Sequence, residues 1–77
     1  MTPAKNVELI AEARSAVQTG RGRKIREAAS ITQTEMAEAL GVSHTAVSLW
    51  EAGKRLPRSG TAVRYALILR RLDQGAN

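Results

Sequence analysis

Four side chains within residues 43–48 have the makings of a recognition surface: Ser43, His44, Thr45 and Ser48 are small or compact, polar and without a fixed charge. Their hydroxyl and imidazole groups can both donate and accept hydrogen bonds. None is a cation that would seize any phosphate it met. Carried on the first turns of one helix, such a set suits hydrogen bonding to base edges in the major groove of a duplex. Cations stand on either side of it. Arg21, Arg23, Lys24 and Arg26 lie upstream, and Lys54, Arg55, Arg58, Arg64, Arg70 and Arg71 lie downstream with no acid among them. Between the two blocks, residues 27–51 hold only acids: Glu27, Glu35, Glu38 and Glu51. Basic flanks around a centre free of Lys and Arg could grip phosphates at the edges and leave the middle for bases. A basic surface alone fits an ordinary solvated protein as well.

Other chemistries find little support. With one histidine and no cysteine, the chain has neither a disulfide nor the four ligands of a closed zinc site. No Ser–His–Asp arrangement is visible, and Gly20-Arg21-Gly22 is too short, and lies among helices, to cradle a nucleotide. No enzyme activity, metal, cofactor or small-molecule ligand is therefore expected. No run of 18 apolar residues is present, so no membrane span is expected. The stretch Met1 to Val17 carries Glu8, Glu12 and Arg14 inside its apolar pattern, unlike a secretory signal, and a cytoplasmic setting is expected.

The elements that would position these residues are helices. The two aromatics, Trp50 and Tyr65, and the absence of alternating β-branched runs point to an all-α chain. At 77 residues it is one small domain, 1–77, whose core needs tight helix packing or a partner subunit for support. A first helix spans about 3–18, with Thr2 as N-cap, Pro3 at the first helical position, and Val7, Ile10, Ala11 and Val17 marking its apolar face beside Leu9, Ala13 and Ala16. Gly20 and Gly22 predict a break or kink. A second helix covers about 21–29. Thr32-Gln33-Thr34-Glu35 fits a capping box, followed by an inward stripe of Met36, Ala37 and Leu40. Gly41 ends that helix, Val42 bridges, and Ser43 caps the next, in which Ala46, Val47 and Trp50 turn inward. The pair occupies about 33–52. After a basic loop with Pro57, a last helix begins at Ser59 or Thr61 and runs to about Leu72, a span of about 60–72, and residues 73–77 read as a frayed tail.

Two short helices joined through Gly41-Val42-Ser43 make a helix-turn-helix. Residues 31–57, ITQTEMAEALGVSHTAVSLWEAGKRLP, closely resemble the lambda Cro/repressor type of this motif, also called the xenobiotic-response-element family. The matching positions include Thr32, Gln33, Ala37, Leu40 to Ser43, Val47, Ser48, Trp50, Glu51, Gly53 to Arg55 and Pro57; weaker similarity extends the match to roughly 20–72. The resemblance implies a compact five-helix, lambda-repressor-like DNA-binding domain, usually dimeric, acting as a repressor or other regulator of transcription in bacteria or their phages. Carried over by position, His44, Thr45 and Ser48 would read bases. Leu49, commonly polar in the family, would pack on thymine methyls or point elsewhere. Gln33, Thr34, Ser43, Lys54, Arg55 and Arg58 would contact the DNA backbone, Ser43 doubling as a cap. Trp50 and Glu51 would be structural, Glu51 bridging to a nearby arginine. Arg21 stands where the family usually has an apolar core residue, and Val17 would fill the core instead.

The last helix has two apolar stripes. One is Ala62, Val63, Ala66 and Leu67; the other is Tyr65, Ile68, Leu69 and Leu72. One would face the domain core, and the other the N-terminal helix or a second subunit. A homodimer using Tyr65, Ile68, Leu69 and Leu72 on a palindromic or pseudo-palindromic operator is the expectation, in a cytoplasmic, nucleoid-associated protein. The alternative is a helix-turn-helix scaffold that binds protein through the same helix, as an antirepressor or antitoxin would.

Overall fold

The computed structural model describes the backbone of residues 3–75 and the side chains of residues 6–75. Five helices and no strands are found among the described residues: α1 Pro3–Thr19, α2 Arg21–Ala28, α3 Gln33–Leu40, α4 His44–Glu51 and α5 Ser59–Gly75. The proposed Thr2 cap lies outside the described residues. The two long helices, α1 and α5, pack along one another; α2 lies against both, and the α3–α4 pair joins through α3 to α5.

Local chemistry sets each boundary. Gly20 sits at φ 78°, a left-handed conformation that costs glycine little, and turns the chain from α1 into α2 in a single residue. Gly22 does not break the helix, contrary to the sequence expectation. It lies buried within α2, where a Cβ would run into the Tyr65 hydroxyl and stand 3.2 Å from Tyr65 Cζ. It is small so that α2 can approach α5. The capping box forms as expected: Glu35 N donates to Thr32 Oγ1 at 3.0 Å, and Thr32 N donates to Glu35 Oε1 at 2.9 Å. The Thr32 backbone N–H, and after it the Thr32 hydroxyl, hold the Glu35 carboxyl below its ordinary range. Gly41, at φ 69°, closes α3, with Val42 N donating to Ala37 O at 3.0 Å. Ser43 Oγ accepts from Ala46 N at 3.1 Å and caps α4.

The core is drawn from every helix: Leu9, Ala13, Ala16 and Val17 of α1, Ile25 of α2, Met36, Ala37 and Leu40 of α3, Val47 and Trp50 of α4, and Ala62, Tyr65, Ala66 and Leu69 of α5. Trp50 and Tyr65 meet at its centre with ring centroids 5.3 Å apart. Burial pushes the Tyr65 phenol up to about 12.

Three expectations are corrected here. The buried face of α1 is Leu9, Ala13, Ala16 and Val17, whereas Ala11 is exposed and Val7 is 61% exposed. Alanines on both sides (Ala13 and Ala16 against a helix carrying Ala62 and Ala66) allow a closer approach than the larger Val7 face would. Val17 does enter the core, while Arg21 stays outside and pairs with Asp73 at 3.1 Å. On α5 the buried stripe is Ala62, Tyr65, Ala66 and Leu69, taken from both anticipated stripes at i, i+3, i+4 and i+7. Tyr65 and Leu69 are 1% and 2% exposed within the chain's own core, so neither can serve a dimer interface. Ile68 and Leu72 remain partly exposed. Finally, α5 continues to Gly75 rather than fraying from Asp73; residues 76–77 lie outside the described residues.

Candidate nucleic-acid interface

Helix α4 turns Val47 and Trp50 into the core, with Ala46 half-buried beside them. At about 100° per residue, the opposite arc belongs to His44, Ser48, Thr45 and Leu49, in that order around the helix. His44 and Thr45 are exposed, and Ser48 and Leu49 are half-buried. The four proposed base-reading positions thus share one outward face, with two hydroxyls and an imidazole beside one aliphatic side chain. Ser43 is exposed at the head of this helix. Its oxygen is occupied as the cap, which leaves its hydroxyl hydrogen free to donate.

The backbone candidates divide into two groups. Gln33 and Thr34 occupy the first turn of α3, and Thr34 is exposed. Gln33 is half-buried and already committed in part, its Nε2 donating to Glu51 Oε1 at 3.0 Å. Lys54, Arg55 and Arg58 are exposed in or next to the segment between α4 and α5, and none of them forms an ion pair among the described residues. The upstream basic block is different. Arg21 pairs with Asp73, Arg23 with Glu27 at 3.1 Å, and Arg26 with Glu51 at 2.6 Å. That block therefore does not form the second phosphate grip that charge counting suggests, because its cations are largely answered within the chain.

Arg26 is the residue that sequence reasoning missed. The arginine partner expected for Glu51 proves to be this one, 25 positions away. Its Nε and Nη2 donate to the two oxygens of Glu51 at 2.6 and 2.8 Å, and its Nη1 donates to Ile31 O at 2.7 Å. The two side chains are only 10% and 4% exposed. Burial raises the Glu51 carboxyl, but the hydrogen bonds from Arg26 and Gln33 and the Arg26 charge outweigh it, so the group is held below the usual carboxylate range. This knot joins the end of α2, the turn into α3, the head of α3 and the tail of α4. It fixes the angle at which α4 is presented. Arg64 adds a second fixture, donating from Nη2 to Leu40 O at 3.0 Å at the end of α3.

No group of three or more His, Cys, Asp or Glu side chains arranged to hold a metal occurs among the described residues, and no helix there is long and apolar enough to cross a membrane. Residues 23–72 match the family described as Helix-turn-helix. No curated protein and no solved structure matches the chain. Helix α1 lies entirely outside the matched segment.

Proposed function

The chain belongs to the Cro/repressor-type helix-turn-helix family and is a DNA-binding regulator, and from that premise we propose that it is a sequence-specific transcriptional repressor of bacterial or phage origin. The observation that carries this reading is the division of labour across α4 and the segment after it. An uncharged face of His44, Thr45, Ser48 and Leu49 is followed at once by Lys54, Arg55 and Arg58, which form no ion pair among the described residues. The first set reads bases and sets sequence preference, with Leu49 against thymine methyls. The second set, with Gln33, Thr34 and Ser43, holds the phosphates and sets affinity.

The repressor acts in the cytoplasm, at the nucleoid, as a homodimer on a palindromic or pseudo-palindromic operator whose half-sites lie about 10 bp apart. With Tyr65 and Leu69 taken up by the core, its subunit contact is confined to Ile68 and Leu72. These line a shallow apolar groove with Ile31, Met36 and Ala39, rimmed by Glu35 and Arg71. The same groove favours the alternative reading, a module that binds a different protein as an antirepressor or antitoxin would.

Selection of bound duplexes from a random pool tests the proposal, giving motif, symmetry and spacing together. Affinity for the selected duplex is expected to fall linearly in log salt, with a slope of about −0.9 per phosphate contact. Failure to bind any duplex at about 50 mM salt would overturn it in favour of the protein-binding alternative.

A further inference from the structure

The segment that carries Lys54, Arg55 and Arg58 is held from an unexpected place. Gly53 N donates to Trp50 O and Lys54 N donates to Leu49 O, both at 2.9 Å, which fixes the start of the loop to the end of α4. Ala62 N donates to Arg58 O at 2.6 Å, which fixes its far end to α5. Residues 55–57 in between are reached from α1. Arg14 Nε donates to Pro57 O at 3.2 Å in a half-buried contact spanning 43 residues of sequence. Pro57 itself is fully buried. Above this point the loop stands off the end of α1, across an open cleft lined by Val17, Gln18, Gly53, Lys54, Arg55 and Leu56. Arg55 and Arg58 thus flank a pinned residue, one on the cleft side and the other at the mouth of α5.

The geometry points to Arg14 as a positioning residue for DNA binding: it acts through Pro57 to set the loop on which Arg55 and Arg58 are carried. The inference rests on the DNA-binding reading above and adds to it a role for α1, which lies outside the segment matched to the family. The bond satisfies the carbonyl of the buried Pro57, and because the Arg14 side chain is only half-buried it does so without taking the charge fully out of water. What the bond adds is direction. Without it, the two arginines keep their charge but lose a shared, preset arrangement, and each phosphate contact must bear the ordering cost on binding.

The test is Arg14→Met, which retains the apolar stem and removes the donor. Backbone order parameters from nuclear magnetic resonance at Arg55, Leu56 and Arg58 are expected to fall from rigid values of about 0.85 toward about 0.6. The unfolding midpoint should fall by about 4–8 °C, as expected for loss of one part-buried hydrogen bond. Affinity for the selected duplex should drop by about three- to tenfold, with the salt slope little changed, because the same phosphates are contacted at a higher ordering cost. A loop that stays rigid in the variant overturns the inference, even if affinity falls, because Arg14 would then touch phosphate directly. A loosened loop with affinity unaltered overturns it too. A wild-type protein that binds no duplex removes the DNA reading itself, and this role with it, an outcome distinct from both. Should Arg14→Met not fold, Arg14→Leu likewise removes the donor while keeping an apolar stem, and the same two measurements decide.

Discussion

Replacing Glu51 by glutamine should destabilise the protein far more than loss of a surface ion pair. The substitution keeps shape and volume but leaves the Arg26 guanidinium, 10% exposed, with only the exposed Glu27 carboxylate, 4.0 Å away, as counter-charge. Two charge-assisted bonds, of 2.6 and 2.8 Å, are weakened together, and the Gln33 amide loses an anionic acceptor. Removing one partner of a buried pair costs about 3–5 kcal/mol. Arg26 keeps its bond to Ile31 O and some access to water, which places this case at about 3 kcal/mol. For a domain of this size that lowers the unfolding midpoint by about 12–24 °C. Trp50 is the only tryptophan and is 3% exposed, so its fluorescence reports unfolding of the core directly. A urea titration at neutral pH followed at Trp50 measures the change. The double variant Arg26→Met, Glu51→Leu should recover much of the loss, because a buried pair replaced by apolar residues of similar volume is often neutral. Acid provides an independent check. Glu51 is depressed below 4.5 in the fold, so its contribution is present above that value and is lost as pH falls through the lower, folded value. Wild type should lose stability on acidification below about pH 5, and Glu51→Gln should lose less over the same range. The residual slope belongs to Glu12, lowered chiefly by its hydrogen bond with Arg70, and to Glu35. A loss under about 1 kcal/mol in Glu51→Gln, the range of exposed pairs, would refute the claim that this knot is buried and structural.

Three further outcomes are expected. Gly22→Ala should cost about 1–3 kcal/mol through overpacking against Tyr65, and adding Tyr65→Phe should restore part of it by removing the hydroxyl that a Cβ would meet; urea midpoints of the two variants decide, and no recovery in the double would mean the strain lies elsewhere. Tyr65 has its pKa raised from 10.0 to about 12, so the fold holds the phenol proton more tightly than the unfolded chain does. Its stabilising effect is complete below pH 10 and declines as pH rises toward 12, at up to about 1.4 kcal/mol per pH unit; unfolding midpoints of wild type and Tyr65→Phe should diverge in that interval. On the proposed interface, His44→Ala should weaken the selected duplex by about 1–3 kcal/mol more than random DNA, whereas Arg55→Ala should weaken all duplexes alike and reduce the salt slope by about one; equal losses for His44→Ala on both duplexes would move that residue to the phosphates.

The sequence was most informative where the bonds are short in sequence. Thr32 and Glu35, Gly41, and Ser43 with Ala46 act within four residues of each other, so type and spacing alone specify the two caps and the turn between them. The outward face of α4 follows from the same periodicity, since placing Val47 and Trp50 inside puts positions 44, 45, 48 and 49 outside. What stayed hidden depends on partners distant in the chain. Arg26 reads as one more cation in a basic run until α4 brings Glu51 to it. Gly22 reads as a helix breaker until Tyr65 is laid against it. The face of α1 was misassigned because apolar residues cover more than half of its circumference, and only the alanines of α5 decide which part is buried. Tyr65 and Leu69 are ambiguous for the same reason: a helix with apolar residues on two sides does not announce which side its own chain will take.

The turn at Gly20 has a consequence for how this protein can vary. One left-handed residue separates α1 from α2, so no slack exists to absorb a change of length. A single residue inserted near the end of α1 would rotate everything before it by about 100°. Leu9 and Ala13 would then swing off α5, and Arg14 away from Pro57. The joint therefore behaves as a keyed coupling rather than a hinge, and length variation in related chains should be sparse at this junction and concentrated elsewhere.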